Sequence, residues 1–199
     1  MTPEQIEEHN HTFEQAVELI KSEIILDGRP HASGLDQPLR SKLERALELF
    51  ARVLELNSEN WSAMWLVGKV YQRLSDYSAA FASFVQADKV HPLQPDVLRE
   101  ASICAMYMGR SEEAILYARN ALECQPTNRG LHANLALAFL LAGRVDEAKI
   151  TIDKATAGSA DTIAQTLGRM IDHFIAVGRK PPNTTAALED YWKKRSRAS

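Results

Sequence analysis

Alanine returns every 34 residues through the middle of this chain, and no other feature constrains the fold as much. Ala46, Ala80, Ala114 and Ala148 stand in one register. Phe50, Phe84, Ala118 and Ile152 follow at a fixed offset, then Ala87, Ala121 and Ala155, with Pro92 and Pro126 closing two of the units. Ahead of each alanine the same step links Gly68, Ser102 and Ala136, then Tyr71, Ala105 and Phe139, then Ser75, Gly109 and Gly143. Self-similarity at such a period is the mark of a repeat array, in which one supersecondary unit is stacked on its neighbours.

Residue chemistry says what the unit is. Gly68 and Ala80 are small where two helices cross closely, and a larger side chain would hold them apart. Tyr71 and Phe84 fill the volume between neighbouring helices. Ser75, Gly109 and Gly143 end first helices, where a residue tolerant of left-handed geometry is favoured. Pro92 and Pro126 stop second helices, which proline cannot continue.

The residues Val67-Gly68, Tyr71, Tyr77, Ala80, Phe84, Ala87 and Pro92 resemble the tetratricopeptide repeat (TPR) pattern, a 34-residue pair of antiparallel helices. Residues 95–128 repeat it with Ala101, Gly109, Ala114, Ala121 and Pro126. Residues 129–162 repeat it with Leu135, Phe139, Gly143, Ala148 and Ala155, with Ala160 where the closing proline would stand. The resemblance implies an all-α, right-handed TPR-type solenoid of antiparallel helix pairs with a terminal capping helix.

Reading outward, residues 1–60 are expected to hold a first, insertion-bearing repeat. Phe13, Ala16, Val17, Ile20 and Ile24 form one helical stripe, and Ala46, Phe50 and Val53 form its partner. Two glycines and two prolines make residues 27–38 a loop. After the repeats at 61–94, 95–128 and 129–162, residues 163–180 read as a capping helix with Leu167, Met170, Ile171 and Phe174 on one face. Residues 181–199 form a basic tail in which Leu188, Tyr191 and Trp192 allow a short helix.

Composition excludes several classes of function. The chain is 45% hydrophobic and 25% charged, enough apolar surface for a core. A net charge of -3 gives no general attraction to nucleic acid. No run of side chains is long and apolar enough to span a membrane, and the acidic start is not a secretory signal. The isolated Cys104 and Cys124 fit a reducing compartment, so the expected location is cytoplasmic.

Catalytic constellations are missing from the sequence. The six histidines are scattered without metal-ligand spacing. There is no phosphate loop, no GxSxG and no cysteine with an evident histidine partner. The acidic pairs Glu112-Glu113 and Asp146-Glu147 open second helices, where they complement the positive helix end. No enzyme activity, cofactor or metal is expected.

Function then has to come from the surface. In the architecture the resemblance implies, first helices line a concave face. The candidates for a partner-binding groove are Trp65, Lys69, Arg73, Arg99, Ile103, Met106, Tyr107, Asn134 and Leu137. Trp, Tyr, Met and Arg are enriched at interface cores, so a partner peptide or helix with apolar anchors is the expected guest. The alternative is that neighbouring helices or the chain's own tail cover the groove. Cochaperone TPRs that clamp a C-terminal carboxylate use Lys and Asn on the first helix, where this chain has Glu14 and Glu18. Two anions there would repel a carboxylate.

The expected role is a non-catalytic scaffold or adaptor. Small bacterial secretion chaperones for translocator proteins share the layout and are the alternative. An enzyme accessory with the 27–38 loop over the groove is a third reading. Residues 1–30 hold seven acidic and two basic side chains, and residues 179–199 hold six basic and two acidic. That asymmetry makes the tail a candidate for self-association.

Overall fold

A computed structural model of the chain describes residues 1–24, 34–158 and 161–198, and among them finds ten helices and no strand. The chain divides into two compact units, Met1–Pro92 and Leu93–Ser199.

The first unit holds α1 (Pro3–Ile20), α2 (Gln37–Leu56), α3 (Trp61–Arg73) and α4 (Tyr77–Val90). Helix α1 begins earlier than the stripe from Phe13 indicates. Thr2 and Gln5 form a capping box with Pro3 in the first turn, which satisfies the leading amides. It also ends at Ile20, with Ile24 beyond the helix yet still in the core. Asp36, Asn60 and Asp76 cap the other three, each side chain accepting an amide hydrogen bond two or three residues into its helix. Ile20, Leu43, Ala46, Phe50, Val53, Ala63 and Val70 form one buried cluster, with Phe13 edge-on to Phe50 at 6.0 Å. The expected loop 27–38 lies outside the described residues at 27–33.

The second unit holds α5 (Pro95–Tyr107), α6 (Ser111–Cys124), α7 (Arg129–Leu141), α8 (Val145–Thr156), α9 (Thr162–Val177) and α10 (Thr185–Ala198). Helices α3, α5 and α7 start at 61, 95 and 129, and α4, α6 and α8 at 77, 111 and 145, so the sequence period is a structural one. Every described residue in the small-residue registers of the second helices is buried, from Ala46 through Ala148 and from Ala87 through Ala155. Ala160, at the missing closing proline, lies outside the described residues.

Close crossing accounts for the small residue ahead of each alanine. A Cβ on Gly68 would sit 2.5 Å from Cε1 of Phe84, whose ring is fully buried. At the equivalent place in the next repeat, Ser102 donates its hydroxyl to the Ala114 carbonyl at 2.9 Å. The turns behave as the sequence predicts. Ser75, Gly109 and Gly143 have φ of 64°, 71° and 78°, all left-handed. Ser75 adopts there a conformation that a side chain disfavours.

Ion pairs reinforce the second helices of the second unit. Arg110 pairs with Glu113 and Arg144 with Glu147 across one turn, and the Arg144 guanidinium lies 4.8 Å from the Phe139 ring centre. That contact with Arg144 holds the Glu147 carboxyl below its ordinary range. Lys149 on α8 bridges Asp153 at 3.0 Å and Asp172 on α9 at 3.1 Å, and these bonds raise its pKa. Asp172 therefore ties α9 to α8.

Candidate partner-binding faces

In the first unit, Trp65, Lys69 and Arg73 stand four residues apart on α3 and so share one stripe. Their environments differ. Trp65 is half-buried, whereas Lys69 and Arg73 are only 6% and 7% exposed. Arg73 donates to the Gly34 carbonyl at 3.3 Å, so its guanidinium anchors the end of the insertion to α3. Glu23 stands nearby. The Ser22 hydroxyl, then Lys42 and Arg73, hold its carboxyl below the ordinary range against the opposing effect of burial.

The Trp65 indole nitrogen is covered and has no hydrogen-bond partner. Buried donors are nearly always paired, so an orphan of this kind calls for an explanation. On α1 of the same unit, Glu14 and Glu18 are exposed, with Glu18 paired to Lys21 at 2.6 Å. His9 accepts from the Asn60 side chain at 3.0 Å, fixing α1 against the cap of α3.

In the second unit, Arg99, Ile103 and Tyr107 form the matching stripe on α5, all half-buried. Arg99 is held between Asp96 at 3.2 Å and Glu100 at 3.0 Å, and Glu100 is itself 1% exposed. Asn134 on α7 donates to the Ser102 hydroxyl at 3.1 Å, so its amide joins two first helices. Leu137 is half-buried beside it in sequence.

Met106 departs from expectation. At 2% exposure it is a core residue and cannot serve as surface, and Leu140 and Leu141 on α7 are buried too. Met106 stands four residues beyond the fully buried Ser102 and shares its face of α5. Pro181 and Leu188 are buried, and α10 packs against α5. The path to α10 runs over two bare turns. Thr184 Cγ2 lies 3.2 Å from where a Gly109 Cβ would be, and the Lys180 stem 3.5 Å from the same point on Gly143.

Aromatic groups complete that seat. The Tyr191 hydroxyl and His173 Nε2 share a hydrogen bond of 2.8 Å, the Tyr191 and Phe174 rings are 5.3 Å apart, and Trp192 meets His173 edge-on at 5.9 Å. Burial, then the charges of Arg195 and Arg179, pushes the His173 pKa down. The sequence marks this element only through the spacing of Leu188, Tyr191 and Trp192.

A crevice of about 390 Å³ also opens on the second unit, lined by Arg119, Leu122, Glu123, Pro126, His132 and Lys154. Its polar groups serve packing. Arg119 lies 5.3 Å from the Phe139 ring centre, and His132 Nε2 donates to the Pro126 carbonyl at 2.9 Å. No group of three or more His, Cys, Asp or Glu that could hold a metal occurs among the described residues. Cys104 and Cys124 are not joined in a disulfide, and no described helix is long and apolar enough to cross a membrane.

No curated protein sequence matches the chain. Among solved structures it is similar to a tetratricopeptide repeat protein from Parabacteroides merdae, with a TM-score of 0.69 at 14% identity over 86% of this chain. It spans 61% of that protein's length. It is also similar to YrrB, described as a TPR protein with an unusual peptide-binding site, with a TM-score of 0.61 at 20% identity over 89% of this chain and 87% of YrrB. The segment of MamA from Desulfovibrio magneticus that starts at residue 41 gives 0.69 at 14% identity, over 96% of this chain and 98% of that one. At such identities the likeness is one of fold. The sequence profile of the tetratricopeptide repeat matches residues 40–95 and 103–161, more than half the chain. The chain therefore belongs to the tetratricopeptide repeat family.

Proposed function

We propose that this chain is a non-catalytic adaptor that holds a peptide or helix of a partner protein on the faces of its first helices. The observation that carries the reading is Trp65. It is a half-exposed tryptophan on α3 with an unpaired indole N–H, in a family whose fold serves protein interaction. Tryptophan gives a large contact area at little entropic cost and dominates measured interface energetics. A bound polypeptide offers a carbonyl to the orphan donor once the ring turns. YrrB, described as having an unusual peptide-binding site, supports the class of function. The half-buried Ile103, Tyr107 and Leu137 supply apolar contact on the second unit. Lys69, Arg73 and Asn134 act by positioning those faces, since each is buried or bonded within its own unit. Two cysteines kept as thiols fit a cytoplasmic setting.

The test is retention of partners by wild type and by Trp65→Ala, with circular dichroism confirming that both are equally helical. Loss of a hot-spot tryptophan costs about 2 kcal/mol or more, roughly thirtyfold in affinity. Partners that bind both proteins with equal affinity would remove α3 from the interaction.

A further inference from the structure

We infer that residues 180–197 are an internal guest of the second unit, and that the surface beneath α10 accepts in their place a partner helix with apolar side chains at i, i+3 and i+4. The inference rests on the adaptor role proposed above, applied to the second unit alone. Three observations carry it.

The first is how α10 is held. Among its described side chains Leu188, at 3% exposure, is the buried one, while Tyr191 and Trp192 are half-buried and meet His173 and Phe174. These three positions, i, i+3 and i+4, lie on a single helical face. The opposite side is polar and exposed, with Lys193 and Lys194 paired within the helix to Glu189 and Asp190 at 3.7 Å and 2.6 Å.

The second is the helix itself. At 14 residues it is near the length below which an isolated helix is marginal in water. Docking and helix formation are therefore one event, and the released segment loses its structure. A guest that folds only on its host exchanges more readily than a core helix does.

The third is the approach. Segment 180–184 passes over Gly109 and Gly143, both left-handed and without a side chain to block the path. Displacing the segment uncovers the seat without breaking a repeat, because the packing of α5 to α8 runs through Ala101, Ala114, Ala121, Ala136 and Ala148, none of which the tail supplies. The chemistry of the seat then defines the partner: an aliphatic anchor one turn ahead of two aromatic ones, the first carrying a hydroxyl for His173.

The test uses the full chain and a fluorescein-labelled synthetic peptide of residues 180–199. An attached competitor acts at millimolar effective concentration, so wild type should bind the peptide at least about tenfold more weakly than Leu188→Asp, whose seat is vacated. A peptide carrying Leu188→Asp should bind neither. Equal affinity for both proteins, or no binding to the variant, overturns the inference. Amide hydrogen exchange on wild type is independent of any variant. Residues 186–197 should exchange at least about tenfold faster than α7, and equal protection overturns the inference as well. A wild-type dimer that Leu188→Asp abolishes in sedimentation would place the helix of a second copy in the seat and overturn the internal guest. None of these readouts involves Trp65. An adaptor that fails at α3 with the peptide still binding is thus told apart from a seat that never opens.

Discussion

Gly68→Ala adds one carbon, and its effect separates packing from helix propensity. In an exposed helix the change would stabilise by about 1 kcal/mol, because glycine is the poorer helix former. Here the new Cβ would stand 2.5, 2.7 and 2.8 Å from three ring carbons of Phe84. Ordinary contact begins near 3.4 Å, so the ring or the helix must shift by about an ångström. Phe84 has no solvent to swing into, being fully buried. Overpacking of this kind costs about 1–3 kcal/mol. With propensity offsetting about 1 kcal/mol, the net expectation is a loss of up to about 2 kcal/mol. For a chain of this length that lowers Tm by as much as roughly 4–8 °C. Circular dichroism at 222 nm during heating and during urea titration measures it. The control is Phe84→Leu, which removes the ring; in that background Gly68→Ala should be neutral or stabilising, with a coupling above about 1 kcal/mol. A Gly68→Ala protein with a raised Tm would refute the close-crossing argument, since propensity would then have won.

Ser75 tests the turn. Its φ of 64° is the conformation that Gly109 and Gly143 adopt freely, so Ser75→Gly should stabilise by up to about 1 kcal/mol in urea denaturation, and a loss would show that the serine is doing something beyond the turn. Lys149→Met removes a bridge to Asp153 and Asp172 from a side chain that is partly solvated; the expected cost is no more than about 1 kcal/mol and should shrink in 1 M salt, where such pairs are screened. The last prediction concerns pH. Burial, then Arg195 and Arg179, lowers the pKa of His173 on α9, so the docked state binds fewer protons than the undocked one, in which His173 returns toward its ordinary value of about 6.5. Docking is therefore complete above that ordinary value and is lost as pH falls from about 6.5 through the lowered one. A fluorine label on Trp192 should shift toward its unfolded position between about pH 7 and pH 5, and His173→Gln should remove the response. A signal unchanged over that range would dissociate His173 from docking.

The packing registers were legible because they obey one rule repeated. Ala80, Phe84 and Ala87 carry their meaning in residue size alone, and the same size recurs 34 residues on. Left-handed turns at Ser75, Gly109 and Gly143 were legible for the same reason. The start of α1 was written in Thr2, Pro3 and Gln5, a capping signal that an apolar stripe beginning at Phe13 does not contain. The faces were harder. Met106 borders the half-buried stripe of α5 and reads as surface although it is core, and an i, i+3, i+4 triad says that a helix has an apolar side without saying what it lies on. Lys69 and Arg73 look like groove cations in sequence because charge is usually solvated, yet both are buried, and the Arg73 bond to Gly34 involves a backbone carbonyl 39 residues away.

Size matching between the two helices of a repeat has a consequence for how the chain assembles. The smallest residue, Gly68, faces the largest, Phe84; in the equivalent places Ser102 goes with Ala118, and Ala136 with Ile152. The helix of Gly68 therefore fits that of Phe84, while the helices of Ser102 and Ala136 do not. Pairing the helix of Ala136 with that of Phe84 would crowd a ring against a methyl group, and pairing Gly68 with Ala118 would leave a void. Repeat arrays risk wrong partners because their units are alike. Here the Gly68–Phe84 pair marks its own repeat by volume, so an intermediate that sets the helix of Ser102 or Ala136 against Phe84 is penalised at that close crossing, before any neighbour has docked.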